Sequence, residues 1–236
     1  MARNGGRARG TGMTAHDFEL VIGNKNWSSW SLRPWLAMKV AGIPFRETHV
    51  GLRRDDTKTQ ILKHSPSGQI PALKWRGDVV SDSLAICETM ADLFPEKGLW
   101  PADALARAMA RSVSAEMHSG FADVRRDMPM DIVNRYPGEG QSEAALAAAR
   151  RIVDIWRGMR ARFGAASARD DGFLFGGFTI ADAMYAPVVT RFRTYGVDVA
   201  GLGDDGRAAA YMEAVLRLPA FLEWEAEARA EMAERG

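Results

Sequence analysis

The 236-residue chain changes its pattern once, across Pro95–Pro101 (PEKGLWP), and that change limits the possible folds more than any other feature. Two prolines and a glycine in so short a segment continue neither a helix nor a central strand, so 95–101 reads as a linker. Before it, strand-like and helix-like pieces alternate. Phe18–Gly23 is a compact apolar run of strand length, and Pro44–Gly51 contains a weaker one. Between them, Leu32–Val40 has helical apolar spacing and stops at Gly42. A β-α-β opening of this kind implies parallel neighbours joined by a crossover helix. A polar, helix-compatible stretch, Asp55–Lys63, and the turn-rich Ser65–Gly68 come next. Ile70–Trp75 and Val79–Val80 then flank Arg76-Gly77-Asp78 as a hairpin. Asp82–Phe94 places Leu84, Cys87, Met90, Ala91 and Phe94 on one helical face. The predicted order over 18–94 is therefore βαβαββα.

After the linker, over 102–236, every periodic segment is helical. Leu105, Met109, Val113, Met117, Phe121, Val124 and Met128 recur every three or four residues and predict one long helix. Tyr136-Pro137-Gly138 interrupts the chain before Ala144–Phe163; Thr179–Thr194, Ala208–Leu216 and a closing helix from Pro219 follow. Residues 1–17, rich in Gly and Arg, read as a disordered tail.

Composition narrows the partners. A formal net charge of +1 supplies no broad basic surface for nucleic acid or an anionic membrane. No apolar run approaches the ~20 residues that span a bilayer. Cys87 is the only cysteine, so no intrachain disulfide forms, which suits a cytoplasmic protein. Four scattered histidines with one cysteine show no metal-ligand spacing.

Four short segments carry the chemistry: Asn26–Arg33 (NWSSWSLR) between the first strand and first helix, Ser65–Leu73 (SPSGQIPAL), Ser81–Ile86 (SDSLAI), and Phe178–Asp182 (FTIAD) in the helical half. Read alone, Asp82 and Ser83 are N-cap types at a helix start. Thr179 with Asp182 has the spacing of a capping box, with Asp in place of Glu. Together, in this order and spacing, the four resemble the cytosolic glutathione transferase family, serine-type, with a zeta/tau-like bacterial flavour. The resemblance spans Phe18 to about Phe221. It implies a thioredoxin-like N-terminal domain followed by an all-α domain. It also implies a homodimer, and glutathione as co-substrate with no other cofactor.

The resemblance also assigns roles. Ile70–Pro71 is expected to be cis, with the Ile70 backbone pairing to the cysteinyl part of glutathione as an added strand would. Asp82 and Ser83 are expected to hold the γ-glutamyl end, a role compatible with capping. Gln69 is expected among the glutathione-binding residues and is the candidate partner of the glycine carboxylate, a role the resemblance does not fix. Glutathione chemistry needs a thiolate, and lowering a thiol pKa from ~8.5 by about two units stabilises the anion by ~2.7 kcal/mol. A hydroxyl at a helix N-terminus can do this. Ser28, Ser29 and Ser31 lie just before the expected helix, with Pro34 in its first turn. By match to S-S-x-S-x-R, Ser28 is the expected thiolate-stabilising residue and Ser29 its helper or alternate, with one of the three serines serving only as a cap. Two readings fit Arg33: a source of local positive potential or a solvated first-turn charge. The resemblance fixes no residue of the second-substrate pocket. Trp30, Arg33, His118 and Arg125 are candidates for it, with Trp30 a wall or a packing residue and His118, which shares a face of the long helix with Arg125, a proton donor or a satisfied structural histidine. Trp30 stands where zeta-type members have a cysteine, which weakens an isomerase reading.

The expected activity is attack of the glutathione thiolate on a small hydrophobic electrophile. The alternatives are a glutathione-dependent isomerase of the maleylacetoacetate type, a dehalogenase or a peroxidase, or a non-catalytic module that binds or scaffolds.

Overall fold

The computed structural model describes residues 17–234; residues 1–16 of the expected tail lie outside that range. The first half forms the predicted alternation. β1 (Phe18–Gly23), α1 (Ser29–Val40), β2 (Arg46–Val50), α2 (Thr57–Leu62), β3 (Ala72–Trp75), β4 (Asp78–Ser81) and α3 (Ser83–Leu93) follow one another. The sheet order is β2-β1-β3-β4, with β1 and β2 parallel and the other neighbours antiparallel. Strand alternation divides the apolar residues between two faces. Phe18, Leu20, Ile22 and Leu73 enter the main core with α1 and α3, while Val21, Val50 and Ala72 pack with Ile61 of α2 on the other side.

The helical half comprises α4 (Ala104–Ser119), α5 (Ala122–Asp127), α6 (Glu143–Met159), α7 (Ile180–Tyr195), α8 (Arg207–Leu216) and α9 (Pro219–Ala233). A π-type turn, Arg160–Gly164, extends α6. The two halves share one core. α1 packs on α7 as well as on β1, α3 and α9, so Ser31–Met38 is buried all round. This is a thioredoxin-like domain joined to a helical one. Among the described residues, no helix is long and apolar enough to cross a membrane.

Four expectations need correction. The helix after β1 starts at Ser29, so Ser29 and Ser31 lie inside it and Pro34 is interior rather than first-turn. The predicted helix over Leu105–Met128 is two helices. Gly120 closes α4 by donating its N–H to the Glu116 carbonyl at 2.8 Å, and Phe121 takes a left-handed φ of 58°. A Cβ at Gly120 would lie 2.8 Å from the Glu116 carbonyl oxygen, so the break needs glycine. Leu105 lies half-exposed off the core, and Ala106, Ala110, Val113 and Met117 form the buried stripe. Finally, 95–101 is not a free linker. Leu99 and Trp100 are buried, the Ile180 N–H donates to the Leu99 carbonyl at 2.9 Å, and Trp100 Nε1 donates to Glu88 at 2.9 Å.

Candidate active site

After β1 the chain turns through Asn24–Ser28, where the Trp27 and Ser28 N–H groups both donate to the Asn24 carbonyl (3.2 and 2.9 Å). Side chains distant in sequence hold this turn. Asn26 donates to Asp131 at 3.0 Å and accepts from the Val133 N–H at 3.0 Å. From α9, Trp224 Nε1 donates to the Lys25 carbonyl at 2.8 Å, and Glu231 accepts the Lys25 N–H at 2.9 Å. The Lys25 ammonium is wholly buried, paired with Glu47 at 2.9 Å and with Glu227, and stands over the rings of Trp35 and Trp224. A buried cation is tolerable only with such compensation. Burial pushes the Glu47 carboxyl up, but hydrogen bonds from His49, Lys25 and Trp35 outweigh it and hold the group at about 2. Ser28, at the end of this clamped turn, is the N-cap residue of α1.

Ser28 opens on a cavity of about 530 Å³ lined by Trp27, Ser29, Trp30, Leu52, Ile61, Gln69, Ile70, Pro71, Asp82 and Ser83 as well. Every residue assigned from the sequence to thiolate stabilisation or glutathione binding therefore lies on one cavity. Ser31 does not line it. Its Oγ accepts the Gly23 N–H at 3.1 Å and the Ser28 hydroxyl at 2.7 Å, tying β1 to the start of α1. Ser29 lines the cavity with little exposure.

The facing wall comes from two other elements. Ile70–Pro71 is cis and lies just before β3, whose ladder begins at Ala72. Asp82, the N-cap residue between β4 and α3, has φ 81°, the left-handed region that favours glycine. One of its carboxylate oxygens accepts the N–H groups of Leu84 and Ala85 (2.8 and 3.1 Å). Ser83 is buried beside it, and its Oγ has no hydrogen-bond partner among the described residues. Two helix starts thus converge on the cavity, each with the positive end of its dipole turned inward, an arrangement suited to anions.

The residues expected at the second-substrate side gather around Trp30. The Arg33 and Arg125 guanidiniums stand 4.2 and 5.0 Å from its ring centre, and His118 meets it edge to face at 5.3 Å. His118 Nε2 lies 3.0 Å from Asp82, bridging the two halves of the molecule. Arg33 is 1% exposed, so it is not a solvated first-turn charge. Burial first, then the charges of Arg125 and Arg191, lower its pKa to about 9. His118 and Arg125 are not on one continuous helix. Arg125 reaches back from α5 to the Met117 and His118 carbonyls that the end of α4 leaves open. Cys87 is wholly buried, and desolvation pushes its thiol up to about 12, as befits a packed side chain. Lys25, Asp131, Arg191, Leu52 and Ile61 escaped the sequence reading; only Lys25, adjoining the serine motif that begins at Asn26, carried any local signal.

Residues 27–93 match the family pattern "Glutathione S-transferase, N-terminal domain", and residues 139–225 match "Glutathione S-transferase, C-terminal domain". The chain is similar to a probable maleylacetoacetate isomerase of Caenorhabditis elegans, 24% identical over 195 residues, covering 82% of this chain and 86% of that protein. A glutathione transferase homologue from Burkholderia, solved with bound glutathione, superposes with TM-score 0.63 at 21% identity, over 90% of this chain and 98% of that one. A Tau class glutathione S-transferase from mango superposes with TM-score 0.68 at 18% identity, over 94% and 99%.

Proposed function

The chain belongs to the glutathione S-transferase family, and on that premise we propose that it ionises the thiol of glutathione in this cavity for attack on a hydrophobic electrophile. The observation that carries the reading is the position of Ser28 as N-cap residue of α1, facing the cis Ile70–Pro71 bond and the Asp82–Ser83 start of α3 across one cavity. In this pose the γ-glutamyl carboxylate would take the Ser83 hydroxyl at the positive end of the α3 dipole. The ammonium would go to Asp82, the glycine carboxylate to Gln69, and the thiol to Ser28.

The chemistry follows from the strength of the hydrogen bonds exchanged. The Ser28 hydroxyl donates to Ser31 across 2.7 Å, a neutral bond. Turning it to a thiolate replaces that bond with a charge-assisted one, roughly twice as strong. The N-terminus of α1 adds to the same stabilisation. Leu52, Ile61, Trp27 and Trp30 supply the apolar wall for the electrophile. Glutathione as co-substrate, a homodimer and a cytoplasmic setting complete the proposal.

A second reading, an isomerase that returns glutathione unchanged, is favoured by the likeness to a probable maleylacetoacetate isomerase. Product analysis separates it from conjugation. The first reading is tested by glutathione calorimetry with thiolate absorbance across pH, on the wild type and Ser28→Ala. The wild type should ionise bound glutathione near neutrality. The variant should bind it with a thiol pKa about two units higher, back at ~8.5, lowering the thiolate fraction and turnover at pH 7 about twenty-five-fold. Equal ionisation by both would transfer the role to Ser29, and a wild type that binds no glutathione would end the reading.

A further inference from the structure

The fold buries positive charge beside the cavity without burying matching negative charge. Arg33 on α1 and Arg125 on α5 share the ring of Trp30, and Arg191 on α7 is a third guanidinium whose charge, like that of Arg125, lowers the pKa of Arg33. Arg33 and Arg191 are 1% and 4% exposed. Arg191 Nε donates to the Met128 carbonyl at 2.8 Å, and Arg125 to the two carbonyls at the end of α4. That leaves Arg33 Nε and Nη1 and Arg191 Nη1 buried without a hydrogen-bond partner among the described residues. His118 Nδ1, on the other flank of Trp30, is buried without one too.

The nearby groups do not neutralise these donors. Asp82 acts on Arg33, but Arg33 Nε and Nη1 do not hydrogen-bond to it; it caps α3 and faces His118 instead. The Cys87 thiol, also within reach of Arg33, is held neutral by burial. The remaining contacts are cation–π stacking of Arg33 and Arg125 on Trp30, which leaves in-plane N–H groups open. Buried guanidinium N–H groups without acceptors are costly, and a carboxylate is their natural complement. Trp30 lines the cavity, so the guanidiniums stacked on its ring lie one ring from the space where the thiolate would react.

We propose that Arg33 and Arg125 form a second anion site, beside Trp30, that receives a carboxylate borne by the electrophile. The second substrate is then apolar at its reacting end and anionic at the other. This rests on the glutathione reading for the identity of the first substrate, but anion binding can be measured without it.

The probes are 3-nitrobenzoate and 3-nitrobenzamide, unreactive and alike except in charge. They are titrated by calorimetry and tryptophan fluorescence into the full chain with and without glutathione. Wild type should bind the benzoate about tenfold or more tighter than the benzamide, with the preference shrinking as salt is raised. Arg125→Gln should abolish the preference, Arg125→Lys should keep part of it, and neither should change glutathione affinity by more than about twofold. Half-buried Arg125 carries the test if Arg33→Gln fails to fold. Equal binding of benzoate and benzamide overturns the proposal. So does an Arg125→Gln chain that keeps the preference, or one that loses glutathione as strongly as benzoate, because the arginines would then serve glutathione's own carboxylate. Failure of glutathione to bind, with the benzoate preference intact, would sink the glutathione reading and leave the anion site standing.

Discussion

The starts of α3 and α7 look alike in the sequence and differ in the fold. Each has a polar residue before an apolar periodic run, and each has an aspartate in or beside the cap. At α7 the Asp182 carboxylate is wholly buried and accepts the Thr179 N–H at 2.7 Å, the Thr179 hydroxyl at 2.9 Å and the Leu174 N–H at 3.0 Å. Burial raises its pKa to about 6 against the lowering effect of those bonds. At α3, Asp82 is half-exposed and held at φ 81°, and its neighbour Ser83 keeps a buried hydroxyl without a partner. The first cap has its acceptors filled by its own chain. The second is strained, borders a cavity and has hydrogen-bonding capacity left over. Strain and spare polar capacity are tolerated where they serve a site, whereas a saturated buried cap serves stability.

The largest effect should come from emptying the saturated cap. Asp182→Ala leaves three buried donors without acceptors and should cost about 3 kcal/mol or more in urea unfolding. Its folded fraction should ionise glutathione as the wild type does. pH sharpens the contrast. A carboxyl raised on folding contributes most to stability below its unfolded pKa near 4, and that contribution is lost as pH rises through about 6. The stability of wild type relative to Asp182→Asn should therefore fall between pH 4 and 7, and a flat difference would mean the carboxyl is not raised.

Asp82→Asn should act on ligand rather than fold. Its remaining amide oxygen can still cap α3, so stability should move by less than about 1 kcal/mol. Glutathione affinity should drop about tenfold, because the charge for its ammonium is gone. A loss of stability like that at α7, with glutathione unaffected, would erase the distinction between the two caps. The smallest effect is expected from His118→Gln. It removes a partly exposed pair, 3.0 Å long, worth less than about 1 kcal/mol. Calorimetry should find glutathione affinity within about threefold of the wild type; a larger drop would place His118 in the site itself.

The candidate site was legible to the extent that its parts are short-range. Ser28 and Ser29, Gln69 to Pro71, and Asp82 with Ser83 sit in three segments whose turn and cap signals lie within a few residues of each. The sheet that brings them to one cavity follows from their βαβαββα order. The pocket for the second substrate was legible only as residue types. His118 and Arg125 were read on one helix face, because apolar spacing continues through Gly120 and does not register a break made by backbone φ at Phe121. Pro34 was read as a helix start because that is its commonest place, while the helix begins at Ser29.

By itself, then, the sequence determined the order of elements, the division into a mixed and a helical half, and the three segments that border the cavity. Periodicity, caps and turns act over a few residues, so they can be read from a single chain. Only the tertiary structure decided the clamp of Lys25 by α9, the gathering of Arg33, Arg125 and His118 around Trp30, and the pairing of His118 with Asp82. Those depend on α1 packing against α7 and α9. That packing buries charges brought from distant parts of the chain, and burial, which no local pattern encodes, is what makes an ordinary arginine or lysine costly and therefore informative.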